Sequence, residues 1–380
     1  MLVEKISSAI DAKRYLNRLG VDGGGVSILS SKIKQHLFQI KGLHVGAANI
    51  LKQDALSIGA DLAVPRGTVT AQTTHVDAIL IATHQQLREL SRKELAQPFG
   101  LKELAHQLAL YTKAHTPGKT KIMGVINAND DSFYEGSRFT DKAAVEAIEK
   151  MIEEGADIID IGAVSSRPGS ASVSEAEELE RIRPIIDTLY ARKSYEQTVL
   201  SVDTFMPAVA AYALEHGFKI VNDITGFSND ELCRLTAQSD ATGIIMHMQG
   251  TPQTMQHDPD YDNLLSDVTA FFEARLEKAK SFGMKEIVLD VGIGFGKRLE
   301  HNLQLITHLE HFLKLGHPML IGASRKSMID KIIPTLTEER LPGTLAIHLK
   351  AVEHGAEIVR THDVKAHKQA LAVANAIRSI

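Results

Sequence analysis

Cysteine is nearly absent from this chain of 380 residues, Cys233 being the only one. A single thiol excludes an intrachain disulfide and fits a reducing compartment. Cys233 itself reads as a small residue on a helix following Asn222, not as a nucleophile. Long apolar runs are also missing, so no segment is expected to span a bilayer, and the opening MLVEKISSAIDAKRYL mixes charges where a secretory signal needs an apolar stretch. The expectation is a cytoplasmic protein with no membrane partner. A basic excess is lacking too. Lys and Arg number 42 against 47 Asp and Glu, a formal charge of −5, which argues against a general nucleic-acid-binding surface. Neither a Walker A loop nor a Rossmann glycine pattern occurs, and no Ser-His-Asp or Cys-His arrangement suggests an enzyme nucleophile.

What is present is a rule repeated along the C-terminal two thirds: short apolar runs end in residues that carry charge or donate hydrogen bonds. Eight runs can be read, ending near Asn127, Asp160 and Arg167, Asp203, Asn222, His247, Asp290 to Lys297, Arg325 and Lys326, and Arg360 and His362. Amphipathic helical patterns alternate with them. Gly155, Gly217, Gly283, Gly316 and Gly355 fall between a helix and the next strand, where a left-handed residue ends a helix without a Cβ clash. Ser174 with Glu177 and Ser228 with Glu231 fit capping boxes after the second and fourth strands. Eight strands with eight helices predict a (β/α)8 TIM barrel over 116–380, its chemistry at the C-terminal strand ends. Residues 1–115 stand outside this series. HLFQIKG, a helix over Val45 to Ile58, ADLAV and VDAILIAT predict a small N-terminal α/β module of unassigned role, joined through HTPGKT at 115–120.

Asp290-Val-Gly-Ile-Gly-Phe-Gly-Lys297 is the sharpest local motif, with alternating glycines that let backbone approach a flat or anionic ligand. Asp203, Asn222 and Asp290 together suit a planar heterocycle with amide-like edges, because a carboxylate accepts from adjacent N–H groups and an Asn pairs with a mixed edge. Arg167, Arg325, Lys326, Arg360 and His362 suggest a phosphorylated substrate at the same mouth. His301, His308 and His311 read as one solvated helix face. His247 is open between an internal hydrogen-bonding role and a ligand contact.

The series MGVINANDDSF, GAVSSRPGS, SVDTF, VNDITG, IMHMQGTPQTMQ, LDVGIGFGK, GASRKS and IVRTHDV resembles, in order, the motifs of dihydropteroate synthase over roughly residues 121–380. That resemblance implies joining (7,8-dihydropterin-6-yl)methyl diphosphate to 4-aminobenzoate in folate synthesis, with release of diphosphate and sensitivity to sulfonamides. Carried over by position, Asp203, Asn222, Asp290 and Lys326 would hold the pterin, with Met246 and Gly322 lining its pocket. Arg360 and His362 would bind the diphosphate, and Asn127 would ligate Mg2+, the one cofactor implied. Ser166, Arg167 and Pro168, with Phe295 and Lys326, would frame the aminobenzoate. The catalytic set would be Asp203, Lys326 and Arg360, and a homodimer is the expected assembly. The chain departs from the pattern in its first loop, at Asn129 and Asp130, and at Val164 and Val291. The alternatives are a pterin-binding methyltransferase-type barrel and a catalytically inactive pterin-binding paralogue.

Overall fold

A computed structural model describes residues 3–4, 6, 11–127, 141–164, 173–251, 253–255 and 257–378. By its internal contacts the chain divides into two units, residues 1–114 with 374–380, and residues 115–373.

The first unit holds helices α1 (Ala12–Arg18) and α2 (Gly23–Ile33), strand β1 (Gln35–His44), helix α3 (Val45–Ser57), and strands β2 (Asp61–Ala63) and β3 (His75–Thr83). Helices α4 (His84–Lys93) and α5 (Leu101–Thr112) follow. The strands form an antiparallel sheet in the order β1-β3-β2. Along β3 the pattern alternates, so Val76, Ala78, Leu80 and Ala82 point into a core completed by Leu51, Leu87, Leu90 and Leu108. The strands predicted here are present; α1 and α2 carry too little periodicity to have been read from the sequence.

In the second unit eight parallel strands close into a barrel. They are β4 (Lys121–Asn127), β5 (Ile158–Gly162), β6 (Val199–Asp203), β7 (Ile220–Asp223), β8 (Thr242–Met246), β9 (Ile287–Asp290), β10 (Met319–Ile321) and β11 (Ala356–Thr361). Between and after them run α6 (Asp141–Glu153), α7 (Glu175–Ala191), α8 (Pro207–Glu215), α9 (Asp230–Gln238), α10 (Leu264–Ser281), α11 (Leu299–Thr307), α12 (Ser327–Ile332), α13 (Leu341–Glu353) and α14 (Val364–Arg378). The (β/α)8 expectation is met strand for strand. The five interstrand glycines all adopt positive φ, from +82° at Gly316 to +98° at Gly355, the conformation that a Cβ would penalise. Ser174 caps α7, accepting from the Glu177 amide at 3.3 Å. At α9 the cap is Asn229, not Ser228: Asn229 Oδ1 accepts from the Glu231 amide at 2.8 Å, while Ser228 Oγ pairs with Thr225. An Asn one residue nearer the helix reaches the free amides with less backbone distortion.

Inside the barrel Met123, Ile158, Ile220, Ile244, Val288, Leu320 and Ile358 form one apolar layer. Burying each contributes about 1.5–3 kcal/mol, which holds the strands together without any cofactor. Because side chains alternate along a strand, the next inward position lies two residues further on. From six of these residues that step lands on Asp160, Asn222, Met246, Asp290, Gly322 and Arg360. Packing thus places a polar layer directly above a dry one. The segment leading into β4 is pinned to the same barrel: His115 Nε2 and the Gly118 amide both reach Glu357 Oε2, at 2.8 and 2.9 Å.

Candidate active site

Arg360 is the centre of the polar layer. Its Nε donates to Asp160 Oδ2 at 2.6 Å and its Nη2 to Asp203 Oδ2 at 2.7 Å. Asp160 is wholly buried and also accepts from Ser201 Oγ at 2.6 Å and from Asn222 Nδ2 at 3.0 Å. One cation and one buried carboxylate therefore tie together side chains of four strands, β5, β6, β7 and β11. The resemblance assigns Arg360 to the diphosphate; in this structure its Nε and Nη2 also hold Asp160 and Asp203 in place. Burial pushes the Asp203 carboxyl up to about 7, with Arg360 pulling the other way and Asp160 adding to the rise. Neighbouring strands set the spacing, since Asp203 registers with Asn222 and Met246 with Asp290.

Asp290 Oδ1 accepts from the Gly292 amide at 2.8 Å, and burial raises its pKa against the pull of Lys326. Gly322 lies beside it: a Cβ there would sit 3.7 Å from Arg360 Cβ and 4.0 Å from Asp290 Oδ2, so a side chain would fill the floor between them. Lys326 donates to the Ile293 carbonyl and stands 4.5 Å from the Phe295 ring centre, a cation over an aromatic face. Burial lowers the Lys326 pKa to about 8, while Asp290 opposes the shift. His362 is exposed and its Nδ1 lies 2.9 Å from Ser324 Oγ. Arg325 does not join the mouth as a free cation, because its Nε and Nη2 clamp Asp363 at 2.9 and 2.6 Å. Asn127 ends β4 in register with Gly162. Ser166, Arg167 and Pro168, like Asn129 and Asp130, lie outside the described residues.

The glycine motif does something other than expected. Gly292 and Gly296 have φ of +65° and +62°, and a Cβ would fall 2.0 Å from the His247 carbonyl oxygen and 2.5 Å from that of Gln249. These two glycines let the loop after β9 lie backbone to backbone on the loop after β8; only Gly294 faces Lys326, whose Cδ would be 3.3 Å from its Cβ. Beneath them Lys297, 2% exposed, donates to His247 Nδ1 at 2.9 Å, the His247 carbonyl at 3.2 Å and the Phe295 carbonyl at 2.8 Å. Three acceptors match the three protons of an ammonium, while burial lowers the Lys297 pKa to about 7 against the pull of Asp290. Burial, with Lys297 adding to it, moves the His247 pKa down to about 2, which favours a neutral ring whose Nδ1 accepts from Lys297. His308 ends α11 and His311 falls in a following 3-10 turn, where its Nε2 lies 3.0 Å from Thr269 Oγ1, so the expected solvated helix face is broken.

In the sequence Asp160 and Lys297 stand at strand ends, Lys297 within the glycine motif, with no role assigned to either. For Asp160 the signal was available as the inward position two residues after Ile158; for Lys297, no pattern in one sequence shows that its side chain is buried.

Residues 123–362 match the family described as pterin binding enzyme. The chain belongs to that family. Among its relatives, the bifunctional dihydropteroate synthase/dihydropteroate reductase of Helicobacter pylori is 41% identical over 368 residues, covering 97% of this chain and 96% of that protein. Among solved structures, the Yersinia pestis dihydropteroate synthase with a sulfonamide drug complex is 37% identical with a TM-score of 0.66, covering 69% of this chain and 95% of that one. The Xanthomonas albilineans dihydropteroate synthase in complex with 7,8-dihydropteroate is 34% identical with a TM-score of 0.62, covering 70% and 96%. The family match begins inside β4, so the pterin binding enzyme likeness belongs to the barrel, whereas the Helicobacter pylori relative also spans the first unit.

Proposed function

We propose that the chain condenses (7,8-dihydropterin-6-yl)methyl diphosphate with 4-aminobenzoate to give 7,8-dihydropteroate and diphosphate, in folate synthesis. The observation that carries this reading is the cluster in which Asp203, Asn222 and Asp290 meet Arg360 and Lys326 at one barrel mouth, in a chain with whole-length likeness to a named synthase. Two carboxylates can accept from the ring N–H groups of a pterin. Asn222 donates through Nδ2 to Asp160, which leaves Oδ1 to face the ligand. Met246 and Gly322 supply a flat wall and floor. Lys326 and Phe295, held face to face, frame the aminobenzoate.

The reaction breaks the bond from the pterin methylene carbon to the diphosphate oxygen, which leaves with the bonding pair. The amine nitrogen then bonds to that carbon and loses a proton. Lys326, Arg360 and His362 would face the departing oxygens, and no enzyme nucleophile is needed. Among the described residues no group of three or more His, Cys, Asp or Glu could hold a metal. Asn127 supplies one amide oxygen at a strand end, a donor set that fits Mg2+ carried on the diphosphate with its own waters. When bound, that ion would neutralise the leaving group. A sulfonamide would compete for the Phe295 and Lys326 edge as an aminobenzoate mimic.

The test is diphosphate release by the purified full chain with both substrates and Mg2+. Release that needs both substrates supports the reading; tight pterin binding without release sinks it. A second activity, reduction of dihydropteroate, is favoured by one observation: the relative named for both activities is similar across the first unit as well. Formation of tetrahydropteroate from dihydropteroate and a reduced nicotinamide or flavin would test it, and no conversion with either reductant would remove it.

A further inference from the structure

Two buried histidines behind the mouth tie together the loops that follow β10 and β11. His348 on α13 and His367 on α14 are each 1% exposed. The Ala323 amide donates to His348 Nε2 at 3.0 Å, His348 Nδ1 lies 2.8 Å from His367 Nε2, and His367 Nδ1 lies 2.8 Å from the Asp363 carbonyl oxygen. The backbone at each end fixes the direction of every bond. An amide can only donate, so His348 Nε2 carries a lone pair and its proton sits on Nδ1. That proton is given to His367 Nε2, whose own proton is on Nδ1 and goes to a carbonyl that can only accept. Both rings are neutral, each in one tautomer, and burial favours that state at both.

The relay begins one residue after Gly322 and ends one residue after His362. Around it the same two loops are joined again by Arg325 on Asp363 and by Ser324 on His362. Arg325 adopts a φ of +54°, unusual for a residue with a side chain, and its amide donates to Thr344 Oγ1 at 2.9 Å. That turn delivers Lys326 into the barrel. An apolar pair at 348 and 367 would fill the same space, yet it would leave the Ala323 amide buried without its partner and the relay cut.

We propose that His348 and His367 are positioning residues for the condensation, holding the loops after β10 and β11 at the separation at which Lys326 and His362 face one diphosphate-bearing substrate. This rests on the synthase reading above. Both rings are buried and bond the loop backbones, so their effect is exerted through the loops.

The experiment compares wild type, His348→Leu and His348→Gln, the last keeping one acceptor and one donor. Steady-state kinetics are measured with the pterin diphosphate and aminobenzoate, and calorimetry with the hydroxymethyl pterin that lacks diphosphate. Small misplacements of catalytic groups cost up to about 100-fold, so His348→Leu is expected to lower kcat/KM for the pterin diphosphate about 10- to 100-fold, with diphosphate-free pterin binding within about twofold of wild type and most of the loss restored in His348→Gln. Equal losses for both ligands, or no restoration by Gln, overturn the proposal. Wild type that releases no diphosphate would instead defeat the synthase reading. Nitrogen NMR of the imidazoles needs no variant: both rings should show the Nδ1–H tautomer, the minor form of a free imidazole, and an Nε2–H signal from either ring breaks the relay whatever the kinetics give.

Discussion

Arg360→Met should cost this fold more at high pH than at low pH. The guanidinium holds Asp160 and Asp203 at 2.6 and 2.7 Å, and Asp160 is wholly buried, so the substitution leaves two adjacent carboxylates in the barrel with no cation. Removing one partner of a buried pair costs about 3–5 kcal/mol. Spread over the roughly 260 residues of the barrel unit, that corresponds to a melting shift of about 5–9 °C. Part of this cost titrates. Burial already raises Asp203 to about 7 with Arg360 present, and losing the cation raises it further. Below pH 7 the folded chain holds that proton in wild type and variant alike, so Asp203 adds little to the difference between them. Above pH 7 the wild type releases the proton and the variant keeps it or bears an unpaired charge, so the stability gap widens as pH rises. Denaturant unfolding of both proteins at pH 6.5 and 8.5 measures this directly. A gap that is equal at the two pH values, or larger at 6.5, would refute the assignment of Arg360 as the partner of Asp203.

Other substitutions test other parts of the site. Asp290→Asn puts an amide donor against ligand donors, and at about 1–3 kcal/mol per unmatched buried group it should weaken pterin binding about 5- to 150-fold by calorimetry. Unchanged affinity would remove Asp290 from the pterin site. Gly292→Ala meets the His247 carbonyl at 2.0 Å on a backbone with φ of +65°, so a loss of at least about 1–3 kcal/mol is expected in thermal unfolding. Lys297→Met strips a buried donor from the Phe295 carbonyl and should raise KM for aminobenzoate several times more than KM for the pterin diphosphate; equal changes would show that the loop does not depend on it.

The barrel was legible because its signals are local and repeated: apolar runs buried on both faces, and a left-handed glycine before five of the strands. Asp203, Asn222 and Asp290 were legible because each sits at a strand end and in a motif, and Lys326 because it lies in the motif that follows β10. What the sequence could not show is which polar groups are already spent on one another. Arg325 and Arg360 look alike as basic residues after strands seven and eight. Only coordinates reveal that Arg325 clamps Asp363 outside the mouth, while Arg360 lies within it on two carboxylates. The Asn229 cap shows the same limit on a smaller scale, since Ser228 and Asn229 offer equivalent chemistry one residue apart.

The alternating glycines of residues 292 to 296 carry the most consequential revision. Read from sequence, they are where a ligand approaches bare backbone. In the structure the first and third approach the protein itself, and the loop is held from below by Lys297 on the Phe295 carbonyl and from the mouth by Lys326 on the Ile293 carbonyl. A loop held at both ends by lysine side chains places the Phe295 ring against Lys326 in this structure. Order of this kind lowers the entropy lost on binding a small flat acid, and it needs glycine because any Cβ would separate the two loops. On the proposed reading Lys297 acts on this edge through the loop alone, so exchanging Phe295 should change aminobenzoate affinity, measured by calorimetry, less than freeing the loop through Lys297→Met.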